Sequence, residues 1–199
     1  ASLVLRSSPS DDAGASPVPV ETFSEKSLVA PTFGKMERIE GGGRVQTYSL
    51  PYWAERCQMM FTTMGRPMTA NIEVMLGPLR TTHQLKLDCE DGSITPYQAA
   101  LKFKKSQGAG QVLRITTKEA VCPIWFGLLV PEPERSDAIG ANTQKVWDLS
   151  DKQIIQGGTT GGASGARRYW TIPPNVKSVQ GLLRSIDTGK KSLKVTRDV

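Results

Sequence analysis

His83 is the sole histidine of the chain, and that removes most hydrolytic and metal chemistry. A helical H-E-x-x-H zinc site needs two imidazoles one turn apart, and a serine or cysteine nucleophile would have this one ring as its only imidazole base. The local pattern puts His83 in a strand, where a surface or cross-strand residue is expected rather than a ligand; a lone chlorophyll ligand has no support. Asp88, Glu90 and Asp91 cluster, but where a hairpin should turn and without the alternating ligand spacing of a calcium loop, so a solvated turn is expected. Thr188-Gly189-Lys190-Lys191-Ser192 resembles the end of a phosphate loop, yet Arg184 stands where its first glycine belongs and Lys191 where Ser or Thr belongs. Cys57, Cys89 and Cys122 lie 32 and 33 residues apart with no C-x-x-C, which indicates core thiols rather than a disulfide framework or a zinc site. No catalytic residue, metal ligand, small-molecule substrate or cofactor is expected; peripheral contact with chlorophyll or lipid stays open.

Charge carries more information. Residues 167–199 hold eight basic side chains (Arg167, Arg168, Lys177, Arg184, Lys190, Lys191, Lys194, Arg197) against Asp187 and Asp198, a surplus of +6 that equals the net charge of the whole protein. Residues 1–166 therefore balance. A neutral body with a basic end reads as a protein that docks. Tyr169 and Trp170 beside Arg167 and Arg168 give the same end the footprint of a phosphate-tracking surface with a stacking platform, so a nucleic-acid module competes with a protein-docking one and is the less favoured of the two. Tyr52-Trp53, after a proline turn, divides evenly between core cover and contact surface, while Met59, Met60 and Phe61 belong in a core.

These residues must be positioned by strands. Residues 1–43 are rich in Ser, Pro and Ala, end in Gly41-Gly42-Gly43, and lack either period, so they form an extended N-terminal arm that orders only by lying on a partner or on its own domain. Residues 44–130 alternate with period two: Ile72, Val74, Leu76; Leu85, Leu87, Cys89; Ala99, Leu101, Phe103; Leu113, Ile115. Gly65-Arg66-Pro67, Gly77-Pro78, Glu90-Asp91-Gly92 and Gln107-Gly108-Ala109-Gly110 supply the turns. An all-β antiparallel sandwich, or a small barrel, is the fold expected of this spacing. Val121 to Val130 is too short, at about half the roughly 20 residues a membrane helix needs, and reads as a buried strand. Residues 131–166 read as a surface loop followed by a Gly-rich linker, and 167–199 as a basic strand pair.

That last pair echoes the first. Tyr48-Ser49-Leu50-Pro51 precedes Gln58, and Trp170-Thr171-Ile172-Pro173 precedes Gln180, each glutamine 7 residues after its proline. Met60-Phe61 with Gly65-Arg66 then corresponds to Leu182-Leu183 with Gly189-Lys190. The pattern is that of a duplicated sandwich whose second copy is cut short, and such a fragment must complete the first copy's sheet or lean on another subunit.

The string Gly65-Arg66-Pro67-Met68-x-Ala70-Asn71-Ile72-Glu73-Val74-Met75-Leu76-Gly77-Pro78, followed by Asp91-Gly92-x-x-Thr95-Pro96-Tyr97, resembles the β-sandwich repeat of the pyrenoid shell proteins of diatom-type plastids. It also resembles the extrinsic, pigment-free subunit on the stromal side of photosystem I in those plastids. Ser178-Val179-Gln180 through Lys194 is similar to the opening of the same repeat. The resemblance covers residues 44–130 and 167–199 and implies no catalytic residues. Self-tiling shell proteins imply two complete repeats. A single copy with a long arm and a basic end instead favours a non-catalytic subunit docked at the stromal face of the thylakoid, held through the basic residues above and Tyr52-Trp53 to subunits of a large membrane-bound photosynthetic complex. A lattice-forming pyrenoid shell protein is the alternative.

Overall fold

Wherever the sequence alternates, paired strands follow, and two sheets share one interior. The computed structural model describes residues 2–4, 8–9, 35–77, 80–104, 110–118, 122–150, 152, 176–178, 181–184 and 193–198. The N-terminal strands are β1 (Ser2–Val4), β2 (Ser8–Pro9) and β3 (Glu37–Ile39). The sandwich proper comprises β4 (Val45–Ser49), β5 (Arg56–Thr62), β6 (Met68–Leu76), β7 (Arg80–Cys89), β8 (Tyr97–Lys102), β9 (Val112–Thr117) and β10 (Ile124–Leu129). After helix α1 (Pro133–Leu149) come β11 (Val176–Ser178), β12 (Leu182–Arg184) and β13 (Leu193–Asp198).

One sheet has four strands in the order β3-β10-β5-β8, the other five in the order β13-β7-β6-β9-β4. Ile72, Val74, Leu85, Leu87, Leu113 and Ile115 of the second sheet and Cys57, Met59, Phe61, Leu101, Ile124 and Phe126 of the first belong to one buried cluster, which makes the pair a sandwich. Phe61 is at its centre, fully buried, its ring centroid 4.8 Å from that of Phe126 and 6.3 Å from that of Tyr97. The solvent face of the five-stranded sheet is polar, with Arg114 of β9 bound through Nε to Glu73 of β6 at 2.8 Å, directly across the strand pair. Gly77 turns β6 into β7 with φ +68°, a conformation in which any Cβ would be strained. The apolar run before Val130 is β10, as its length and composition indicate.

One feature departs from the sequence reading, and two others choose between alternatives it left open. Residues 133–149, expected as part of a surface loop, form α1: Pro133 begins it with its φ already helical, and Glu134 sits in its first turn. Its buried face is Ser136, Ile139 and Thr143, at helical spacing but with one apolar residue among three, so the hydrophobic period by which a helix is read was absent. Within the arm, β3 joins the four-stranded sheet and β1 and β2 pair antiparallel with β12 and β11, so at these points the arm lies on its own chain. Finally, β13 lies parallel to β7, Leu193 opposite His83 and Asp198 opposite Asp88. Of the later strands β13 thus extends the first sandwich's sheet, while β11 and β12 pair with the arm. The echo falls on strands in both copies: Met60-Phe61 lie on β5 where Leu182-Leu183 lie on β12.

Candidate functional site

A sandwich has two lateral rims, and here they differ. Along one rim β8 ends the four-stranded sheet with β1 lying against it, β1 being paired in turn with β12, while β13 covers β7. Along the other rim β3 and β4 end the two sheets, and among the described residues neither pairs on its outer side.

The two open strands are protected unequally. β3 reads Glu-Arg-Ile, and Arg38 forms an exposed ion pair with Glu40 at 3.0 Å; charged edges of this kind resist pairing with another chain. β4 reads Val-Gln-Thr-Tyr-Ser, without a charge or a proline, and all but Tyr48 are exposed. Val45 is 52% exposed. Tyr48 pins the strand from within: its ring centroid is 5.0 Å from that of Phe126, and its hydroxyl donates to Glu37 Oε2 at 2.9 Å. Burial, then the bond to the Glu37 carboxylate, pushes the phenol well above its usual pKa. The result is a flat, β-prone edge with unpaired backbone groups, held rigid by its inner face.

At one end of the molecule the β5–β6 and β7–β8 connections meet. Thr62 Oγ1 donates to the Gly92 carbonyl at 3.0 Å, and the two loops project Met64 and Ile94, 75% and 77% exposed. Beside them a shallow cavity of about 250 Å³ is lined by Met64, Pro123 and Trp125 with Arg38 and Arg66.

The groups with chemistry fare as follows. His83 was expected at a surface or across a strand pair; it does face Val74 across the pair but is 5% exposed, a correction to the surface reading. Its Nδ1 is 3.0 Å from Thr82 Oγ1, and burial lowers its pKa to about 4. The sequence held the signal: His83 shares the parity of Leu85, Leu87 and Cys89, all inward-facing. Cys57 is fully buried and its thiol pushed up to about 12 by desolvation; Cys89 is buried and Cys122 half-buried, all three free. Asp91 accepts from the amide and hydroxyl of Ser93 at 2.8 and 2.6 Å, which lowers its pKa, and Asp88 binds Lys86 at 3.3 Å. Among the described residues no group of three or more potential ligands could hold a metal ion, and no helix is long and apolar enough to cross a membrane.

Of the expected contact residues, Tyr52 is 66% exposed while Trp53 packs half-buried on the core, so the dipeptide splits. Met59 and Phe61 are core, Met60 half-buried, and Met64 is at the surface. Arg184 is exposed on β12. Lys177 lies on β11, and Lys194 and Arg197 on β13 opposite Gln84 and Leu87. Arg167, Arg168, Tyr169, Trp170, Lys190 and Lys191 lie outside the described residues. The β4 edge was not singled out from sequence, although its uncharged five-residue run was there to be noticed.

The family model described as diatom pyrenoid shell protein matches residues 29–197, a span that runs through the sandwich, α1 and the later strands. The chain belongs to the diatom pyrenoid shell protein family. No curated protein matches it. Membership supports the shell-protein side of the resemblance and gives no support to the photosystem I subunit, the reading favoured from sequence. The argument that had tipped the choice, a second repeat cut short, loses its force in this family: the match extends through those later strands, of which β13 joins the first sandwich's five-stranded sheet while β11 and β12 pair with β2 and β1.

Proposed function

We propose that the protein is a non-catalytic subunit of the shell around a plastid pyrenoid and works by assembling with copies of itself. The family match over residues 29–197 carries this reading. The open rim gives it a physical route. Natural sheets blunt exposed edges with charge, proline or cover, and β4 has none of the three; a second copy adding its own strand there would satisfy the unpaired backbone groups and leave both cores untouched. Met64 and Ile94, apolar and exposed at the end of the sandwich, offer a second contact in a different direction, which a sheet-like lattice needs.

The purified protein should form extended sheets unaided at physiological salt, visible by electron microscopy, above a threshold concentration. A protein that stays monomeric at every concentration in sedimentation, and co-migrates instead with a thylakoid particle, would return the docking-subunit reading to first place.

A further inference from the structure

A cleft between β5, β8, α1 and β12 gathers three cations, Arg56, Lys102 and Arg184. Arg56 of β5 and Lys102 of β8 are directly opposite each other in the antiparallel register, an arrangement in which like charges are destabilising. Arg56 is 8% exposed. Its Nε donates to the Ser136 carbonyl at 3.0 Å, which leaves the two Nη groups for other partners. Room for one of them exists because residue 140 is glycine: a Cβ there would stand 2.7 Å from Arg56 Nη2. The third cation, Arg184, reaches the same cleft from β12, held by a bond from Nη2 to Gln144 Oε1 at 3.0 Å and by stacking 4.8 Å over the Trp147 ring.

Against three cations the cleft holds one carboxylate, Asp137. Glu55 and Asp137 favour the charged guanidinium of Arg56 at a distance, but among the described residues neither Arg56, Lys102 nor Arg184 has a carboxylate within ion-pair reach. A buried guanidinium facing a like charge is stabilised by an anion. The cavity is about 220 Å³ and its lining is mainly polar, a size suited to one small oxyanion.

We propose that this cleft binds a small tetrahedral oxyanion of the phosphate class, bridging Arg56 and Lys102 of the sandwich to Arg184 of the repeat-like strand β12. The anion acts as a clip. It fastens the later segment to the first sandwich at the point where Leu182 packs with Val146 on Ile139, and it does so whether or not the protein assembles through β4.

Thermal unfolding of the purified full chain, with inorganic phosphate titrated against sodium chloride at matched ionic strength, tests this. Phosphate should raise Tm in a saturable, concentration-dependent way that chloride does not reproduce. Lys102→Ala and Arg184→Gln replace exposed side chains and should leave the fold intact. Each should weaken the apparent phosphate affinity roughly tenfold or more, the usual cost of a charge-assisted bond, and Arg184→Gln should also abolish any phosphate-induced change in tryptophan emission. No phosphate effect beyond that of chloride, or the same effect in both variants as in the parent, overturns the proposal.

Discussion

His83 shows how one buried side chain sets a condition on the whole fold. Its ring is buried, on a residue paired with Val74 of β6 and Leu193 of β13, and neutral, with a pKa lowered by burial from 6.5 to about 4. In the unfolded chain the same ring takes up its proton near 6.5. Between those two values the unfolded state binds more protons than the folded one, so stability rises with pH across the interval. The contribution is complete above pH 6.5 and is lost progressively as the pH falls towards 4. The shift corresponds to on the order of 3 kcal/mol. Urea titrations stepped from pH 7 to pH 4 should show this loss in the parent, and His83→Gln, which cannot titrate, should flatten that part of the profile even if its stability at pH 7 is lower. Parallel profiles for the two proteins would mean that the ring is already accessible to protons in the native state.

At the scale of elements, the edge strand β4 is where the shell reading is most exposed to test. Val45 and Ser49 are both exposed on a strand whose inner face is fixed by Tyr48, so lysines placed there alter the rim and not the core. The doubly substituted Val45→Lys, Ser49→Lys protein should keep its melting temperature within a few degrees, as surface changes do. Its threshold concentration for assembly should rise roughly tenfold or more, since like charges would meet across every new strand pair. Unchanged assembly would transfer the contact to the Met64 and Ile94 end. Elements were unequally legible in the sequence, for physical reasons. β6, β7 and β9 could be read because each has a wetter and a drier face over most of its length, and alternation is how such a strand is written. Helix α1 could not, because it buries Ser136 and Thr143 beside Ile139; Thr143 donates to the Ile139 carbonyl at 2.7 Å inside the helix itself, and a face satisfied in this way leaves no apolar stripe. The cation cleft was invisible for a different reason: Arg56, Lys102 and Arg184 are 46 and 82 residues apart, and only strand pairing brings the first two face to face.

For the whole molecule the question is why one rim is partly covered and the other open. β8 reads Tyr-Gln-Ala-Ala-Leu-Lys, with every residue but Gln98 and Lys102 buried; left bare, it would be as ready to pair as β4 and far more apolar. β1 lies along it and is itself held by β12, while β13 seals β7 on the sheet above. A subunit with every edge bare could polymerise edge to edge in any combination; with β8 covered, the described edges left to pair are β3, β4 and β13, and fewer combinations remain. The arm is therefore as much a restraint as an extension. Removing residues 1–9, which takes away β1 and β2, should uncover β8 and leave β12 without its antiparallel partner. The sandwich core, built from strands that remain, should unfold at nearly the same temperature. The truncated protein should nevertheless be cut faster by protease after residue 150 than the parent, because β12 has lost a neighbour. It should also give irregular aggregates in place of ordered sheets. If it assembles as the parent does, with an unchanged cleavage rate, then β1 does not guard that rim, and the order of the lattice must come from β4 and the Met64 and Ile94 end without it.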